Sequence, residues 1–296
     1  MIKNKILIAG GSGNIGRPLC KRLYKNQNVT TLVNSSKKRE KSCIALNLLD
    51  DKKTKDFINC KNKFDILIFL VGLAHKKGEK SNYEEFNNVN FITLKNLIEA
   101  FEECNKVPDK IIFTSTISIY GERLSINSYT ENTIPEPRSP YAITKLNAEN
   151  FLRKKFDSKC WILRLAPVYS EEFKLNISRR TKIAGQNFLI GNGKVKLSLC
   201  HLNNIISAME NIIAGEISSG TYNLADDVIY SYNDLHRYQQ NKYLIKLPIF
   251  IVKIFLSLGS AIKNNFLIEN SIKLISDNIY PVEKITKQLA LKYKIK

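Results

Sequence analysis

"KILIAGGSGNIGRPLCKRL", residues 5–23, runs from a strand through a glycine turn into a helix. Ile6, Leu7 and Ile8 are apolar without alternation, the pattern of a strand covered on both faces. Gly11, Gly13 and Gly16 satisfy G-x-G-x-x-G, and Gly10, Gly13 and Gly16 satisfy the wider G-x-x-G-x-x-G. Such glycines allow a tight turn, close approach of backbone to a pyrophosphate, and close packing of helix on strand. The helix start, with Asn14 and Ile15 in the turn before it, offers unpaired N–H groups and a positive dipole end to that phosphate. Pro18 fits, because first-turn residues have no N–H partner to lose. The stretch predicts dinucleotide binding.

Further along, "NVTTLV", "CIAL", "DILIFLVG", "KIIFTST" and "CWILRLA" alternate with helical patterns such as "NVNFITLKNLIEAFEEC". Apolar strands separated by helices predict an α/β fold, a doubly wound parallel (Rossmann) sheet, over residues 1–165. Over 166–296 the alternation loosens, and a smaller, mostly helical substrate-binding cap is expected, with 197–225 returning to the sheet domain. "LPIFIVKIFLSLG", residues 247–259, is interrupted by Lys253 and too short to span a bilayer. It reads as a helix covering a core, with membrane contact the alternative.

Lys and Arg number 46 against 27 Asp and Glu, a formal charge of +19. The lysines are spread over the whole chain rather than gathered in a stripe, which argues against nucleic acid as partner. A basic surface still favours an anionic substrate or an anionic membrane face. The six cysteines show no C-x-x-C and no Cys–His pairing at ligand spacing, and "MIKNKILIAGG" enters a strand at once. Both features predict a cytoplasmic protein with reduced thiols. His75, His201 and His236 have no metal-ligand spacing, so no metal is expected.

A second strand that holds an NAD ribose should end in Asp or Glu. "NVTTLV" is followed instead by Asn34 and then "SSKKR", so Lys37, Lys38 and Arg39 lean toward a 2′-phosphate. A solvated loop in a lysine-rich chain is the competing reading. The cofactor is thus NAD or NADP, with Asn34 able to bond a ribose hydroxyl.

Ligands of parallel sheets sit beyond the carboxyl ends of strands. "KIIFTST" ends in Thr114, Ser115 and Thr116, which places these hydroxyls at the cofactor's edge. Twenty-five positions after Thr116, "SPYAITKLNAEN" (residues 139–150) puts Tyr141 and Lys145 one helical turn apart at a helix start. Alone the pair reads as solvated surface. Beside the glycine turn and the hydroxyl-ended strand, it reads as chemistry.

That order, that spacing and that glycine turn resemble the extended short-chain dehydrogenase/reductase superfamily, the nucleotide-sugar epimerases and dehydratases. "DILIFLVGLAH" resembles the family's fourth strand beside the cofactor, "NFITLKNLIEA" its next helix with recurrent Asn90 and Asn96, "LRLAPVYS" its R-P-x-x-V-Y-G, and "GTYNLADD" its G-x-Y-N-x-G. The resemblance implies Tyr141 as the base that takes a sugar hydroxyl proton. A free phenol titrates near ~10, so Lys145 would lower that value and bond the nicotinamide ribose. Thr116 would donate to the reacting oxygen. Cofactor contacts are implied at Gly10, Gly13, Asn14, Ile15, Gly16, Asn34, Lys37, Asn47, Leu48, Leu70, Val71, Gly72, Asn90, Thr114, Tyr141, Lys145 and Ala166.

The departures are informative. The family's dehydratases carry Asp–Glu after the hydroxyl residue, where this chain has Ile117 and Ser118, so a 4,6-dehydratase is not expected. The usual Gly-Pro after V-Y is Ser170-Glu171, the usual Arg before the next strand is Leu197, and Asn47 replaces the Asp common at the adenine. The segment "VYSEEFKLNISRRTKIAGQNFLIGNGKVKLSLCHLNNI" resembles enzymes handling UDP-N-acetylhexosamines in surface-polysaccharide synthesis, some of whose relatives act on polyprenyl-diphosphate sugars. The resemblance implies substrate contacts at Thr116, Tyr141, Lys174, Asn176 and Arg180.

The expected function is therefore a C4 epimerase of a nucleotide-activated or polyprenyl-diphosphate-linked sugar. A 4-ketosugar reductase using NADPH is the alternative, and a dinucleotide-sensing module without turnover the alternative of another class. Location is expected in the cytoplasm, with peripheral contact at the membrane's inner face as an option. Phe91, Leu94, Ile98 and Phe101, with Ile143, Leu146 and Phe151, suggest a second apolar stripe on two helices and hence a homodimer, burial inside the cap domain being the competing reading.

Overall fold

The computed structural model describes residues 3–34, 43–74 and 83–295. Lys37, Lys38, Arg39 and His75 lie outside them. The first half of the chain gives β1 (Lys5–Ala9), α1 (Gly16–Leu23), β2 (Asn28–Val33), β3 (Cys43–Ala45), α2 (Asp51–Asn59) and β4 (Ile66–Phe69). There follow α3 (Tyr83–Asn87), a π-helical turn (Asn88–Ile92), α4 (Thr93–Glu103), β5 (Lys110–Thr116), α5 (Pro140–Phe156) and β6 (Cys160–Leu165). Next come β7 (Val168–Tyr169), α6 (Leu175–Thr181), β8 (Lys182–Ile183), β9 (Gln186–Ile190), β10 (Lys196–Leu197), β11 (Cys200–His201) and α7 (Leu202–Ala214). The chain ends with β12 (Gly220–Leu224), β13 (Tyr230–Ser231), α8 (Tyr232–Tyr238), β14 (Ile245–Leu247), α9 (Ile249–Ala261), α10 (Asn265–Ile275) and α11 (Glu283–Thr286).

Seven strands form the main sheet in the order β12-β6-β5-β4-β1-β2-β3. The order runs outward in both directions from β1, as expected of a doubly wound parallel sheet. β1 pairs in parallel with β2 and with β4, β2 with β3, and β4 with β5. Each residue of β4 is buried, and so is all of β1 after Lys5, which is why both read as unbroken apolar runs.

The chain divides into two compact units, one of Met1–Ser115, Pro140–Leu163 and Met209–Thr221, the other of Thr116–Ser139, Arg164–Ala208 and Tyr222–Lys296. In the first, Leu7, Leu67, Phe69, Leu94, Leu97, Ile98, Phe101, Ile111, Phe113 and Leu152 share one core. Leu94, Ile98 and Phe101 are wholly buried there, which corrects their reading as part of a second, outward stripe. Phe91 and Phe151 remain half-buried, their rings edge-to-face at 5.8 Å.

The second unit has its own core of Tyr169, Ile177, Leu189, Leu197, Leu199, Tyr230, Tyr232 and Leu235. Thr116–Ser139 belongs here because Tyr120 donates to Asn223 at 2.6 Å and Tyr129 N–H to the Ile279 carbonyl at 2.9 Å. The run "KLSLCHL" is two two-residue strands, β10 and β11, rather than one. Helix α9 covers only a small core. Only Val252 and Gly259 of its 13 residues are buried, Val252 in a cluster with Phe188 and Ile190, and most of its apolar surface stays exposed. Among the described residues no helix is long and apolar enough to cross a membrane.

Candidate functional site

The turn between β1 and α1 shows what each glycine is for. Gly10 has φ +89°, and a Cβ there would sit 2.9 Å from the Val71 nitrogen, so only glycine lets β1 and the end of β4 approach. A Cβ at Gly16 would meet the Gly10 oxygen at 2.4 Å, and one at Gly11 the Thr31 methyl at 2.0 Å. Gly13 is different. A Cβ there would meet only the Gly10 oxygen, at 3.4 Å, and Gly13 is exposed together with Asn14. Packing therefore dictates glycine at 10, 11 and 16, whereas the absent side chain at 13 leaves exposed backbone just before the N-terminus of α1, with the Gly13 N–H on the Gly10 oxygen at 3.1 Å. That is the form a dinucleotide pyrophosphate requires, so the residues present fit a nicotinamide dinucleotide.

Lys145 is buried, with 2% of its surface exposed. Its ammonium donates to the carbonyl oxygens of Val71 at 3.1 Å and Thr114 at 3.0 Å, just past β4 and near the end of β5. It lies 4.8 Å from the centre of the Phe113 ring. Desolvation pushes its pKa down to about 7, against an opposing pull from Glu149. Gly72 makes room for it: a Cβ there would stand 3.2 Å from the ammonium.

Asn90, fully buried on the π-helical turn, accepts from the Leu73 N–H at 2.7 Å and donates to the Thr144 hydroxyl oxygen at 3.1 Å. Thr144 in turn donates to the carbonyls of Pro140 and Tyr141 at 2.9 and 3.0 Å. The first turn of α5, which carries half-buried Tyr141, is thus tied to the chain following β4. Thr114 donates to the Phe69 carbonyl at 3.2 Å. Asn96 donates to the Leu48 carbonyl at 3.0 Å and anchors the loop bearing Asn47, Leu48 and the α2 cap Asp50. Asn34 and Asn47 are exposed, and Leu70 and Val71 are half-buried.

One residue of this cluster escaped the sequence reading. Glu149 is fully buried one turn beyond Lys145 and accepts a hydrogen bond from the Ser115 hydroxyl. Its signal was present, since a carboxylate four residues after a functional lysine shares its helix face. In the second unit, Thr116 ends β5 and its oxygen accepts the Ser118 N–H at 3.2 Å, which starts the turn Ile117–Tyr120. Ala166 is buried, its N–H on the Leu224 carbonyl at 3.0 Å.

Of the residues assigned to the substrate, Tyr141 lies in the first unit and Thr116 in the second, where Lys174, Asn176 and Arg180 gather at the start of and along α6. Lys174 holds its ammonium 4.9 Å over the Tyr238 ring. Asn176 donates to the Val168 carbonyl at 2.8 Å, which commits that amide to the fold. Arg180 donates to the Asn176 carbonyl at 2.8 Å and lines a small cavity with Ile117, Ser198, Tyr232, Lys273, Asn278 and Tyr280.

Comparisons with known proteins bear on the family and the fold. A family model described as the NAD dependent epimerase/dehydratase family matches residues 6–225. An uncharacterised UDP-glucose epimerase of Bacillus subtilis is 28% identical over 183 residues, 56% of this chain and 57% of that protein. A dTDP-D-glucose 4,6-dehydratase of Dictyostelium discoideum is 27% identical over 260 residues, 75% of this chain and 58% of that one. The chain thus spans less than three-fifths of the length of these curated relatives. In fold it is similar to the UDP-Glc/GlcNAc 4-epimerase of Campylobacter jejuni, with a TM-score of 0.75, 20% identity, and 98% and 94% of the two chains covered. With its glycine turn, buried lysine and sheet order accounted for, the chain belongs to the NAD dependent epimerase/dehydratase family.

Proposed function

We propose that the protein is a C4 epimerase of a nucleotide-activated or polyprenyl-diphosphate-linked hexose or N-acetylhexosamine. The observation that carries this reading is Lys145, a buried ammonium held by two main-chain oxygens beside the ends of β4 and β5. A fold gains no stability from burying a lone lysine, so its cost points to chemistry. The bound nicotinamide supplies hydride acceptance and return. Tyr141 takes the proton of the C4 hydroxyl and gives it back, Lys145 stabilises the phenolate by its charge, and Thr116 donates to the reacting oxygen. Ile117 and Ser118 bring neither acid nor base to the position after Thr116, which favours epimerisation over elimination of water. A homodimer and a diphosphate contact through Lys174 and Arg180 belong to the same reading, from which Asn176 drops out because its amide serves the Val168 carbonyl.

The test is conversion of UDP-N-acetylglucosamine and UDP-glucose to their C4 epimers without added cofactor, together with identification of the nucleotide released on denaturation. Tightly held NAD⁺ and epimer formation support the proposal. Consumption of added NADPH with a 4-ketosugar, and no epimer from either UDP-sugar or a polyprenyl-diphosphate sugar, replaces it with a reductase.

A further inference from the structure

The α9–α10 hairpin presents an apolar face that none of the described residues covers. Val252 and Gly259 turn inward, Val252 packing near Phe188 and Ile190. A Cβ at Gly259 would sit 2.9 Å from that of Leu267, so the two helices cross closely and the hairpin is firmly held. On the other side Phe250, Ile254, Leu258 and Ile262 recur every four residues with 60%, 52%, 52% and 65% of their surface exposed. Phe255 at 50% and Phe266 at 73% widen the stripe. An apolar patch of this extent marks an interaction surface.

Charge identifies the occupant. Between Asp234 and Glu269 the sequence holds no acidic residue, yet it carries Arg237, Lys242, Lys246, Lys253 and Lys263. Lys242, Lys246, Lys253 and Lys263 are all exposed on or beside the hairpin. A second copy docked on this face would set like charges against like. An anionic surface would pair with them while the aromatic and aliphatic side chains enter the acyl boundary. The helix is also the wrong length to cross: 13 residues reach about 20 Å, short of the ~30 Å hydrocarbon core, so it lies along the interface.

We propose that the exposed face of α9 and the start of α10 docks the protein on an anionic lipid bilayer. Phe250, Ile254, Phe255 and Leu258 insert, and the surrounding lysines meet lipid phosphates. The surface is independent of the reaction, so it can fail while the epimerase reading stands.

Sedimentation with vesicles of phosphatidylglycerol and phosphatidylcholine tests it without any sugar. Wild type is expected to pellet with these vesicles and to bind pure phosphatidylcholine at least tenfold more weakly. The variant carrying Phe250→Ser, Ile254→Ser, Phe255→Ser and Leu258→Ser should lose binding at least tenfold, and Lys253→Glu with Lys263→Glu should lose it on the anionic vesicles. No pelleting of wild type, or undiminished pelleting of the serine variant, overturns the proposal. So does a serine variant whose sole change is from dimer to monomer in light scattering, which would assign the face to a second copy. Phe255→Trp keeps the idea testable if the serine variant misfolds, because Trp161, the chain's one tryptophan, is buried. Its emission should shift to the blue on anionic vesicles and be quenched by brominated lipid, and unchanged emission counts against insertion.

Discussion

The Lys145 ammonium donates to the main-chain oxygen of Thr114 at 3.0 Å, tying the first turns of α5 to the end of β5. Glu149, one turn on, takes the hydroxyl of Ser115, the next residue of the same strand. Two successive strand residues thereby hold two successive charged turns of one helix. Tyr141, one turn before Lys145, is placed by this arrangement through Thr144 and Asn90.

Tyr141→Phe should leave the fold and cofactor binding nearly intact, since the main-chain oxygen of residue 141 still serves Thr144. Turnover should fall by a factor of at least ~10², as loss of a general base predicts. Near-normal turnover of the purified variant on its sugar would show that the phenol is not the base.

Glu149→Gln keeps an acceptor for Ser115 but removes a charge. Because Glu149 raises the pKa of Lys145 against desolvation, the neutral variant should let the ammonium lose its proton at lower pH. The alkaline limb of kcat/KM is expected to move downward, and Glu149→Asp should restore part of it. An unchanged limb would mean that Lys145 does not set it. Stability follows the opposite slope: the Lys145 pKa lies near 7 in the folded protein and near ~10.4 unfolded. Its contribution is complete above the unfolded value and is lost as pH falls toward 7.

The basic run after β2, which lies outside the described residues, is the sequence's candidate reader of the cofactor's 2′ position. If Lys37, Lys38 and Arg39 read a 2′-phosphate, changing all three to Ala should weaken NADPH selectively in a titration and spare NADH. Equal loss for both, or none, makes the run a solvated loop.

How far the sequence speaks depends on what each residue must satisfy locally. The glycine turn and the apolar strands were legible because backbone sterics and double-sided burial leave few alternatives at Gly10, Gly16 and Ile66–Phe69. Lys145 was legible only through its spacing from Tyr141, for nothing local marks a lysine as buried. Glu149 went unread because its partner, Ser115, is 34 residues away and reaches it only through the sheet. The exposure of most of α9 was not legible for a related reason. Apolar content says that a face will be covered, whereas the fold alone decides which faces the chain covers itself.

The same reasoning narrows the dimer. With Leu94, Ile98 and Phe101 committed to the core, the residues left for a twofold contact are Phe91, Ile143, Leu146 and Phe151, all half-buried on the π-helical turn or α5. Helices pairing across a twofold axis would bring each Phe91–Phe151 pair against its symmetry mate. If that contact exists, Phe151→Lys should turn a dimer into a monomer in light scattering at micromolar concentration. The fold should survive, because the ring is partly exposed and a lysine stem covers similar surface. A wild-type monomer at that concentration would remove the dimer. A dimer that persists in the variant would move the contact away from α5.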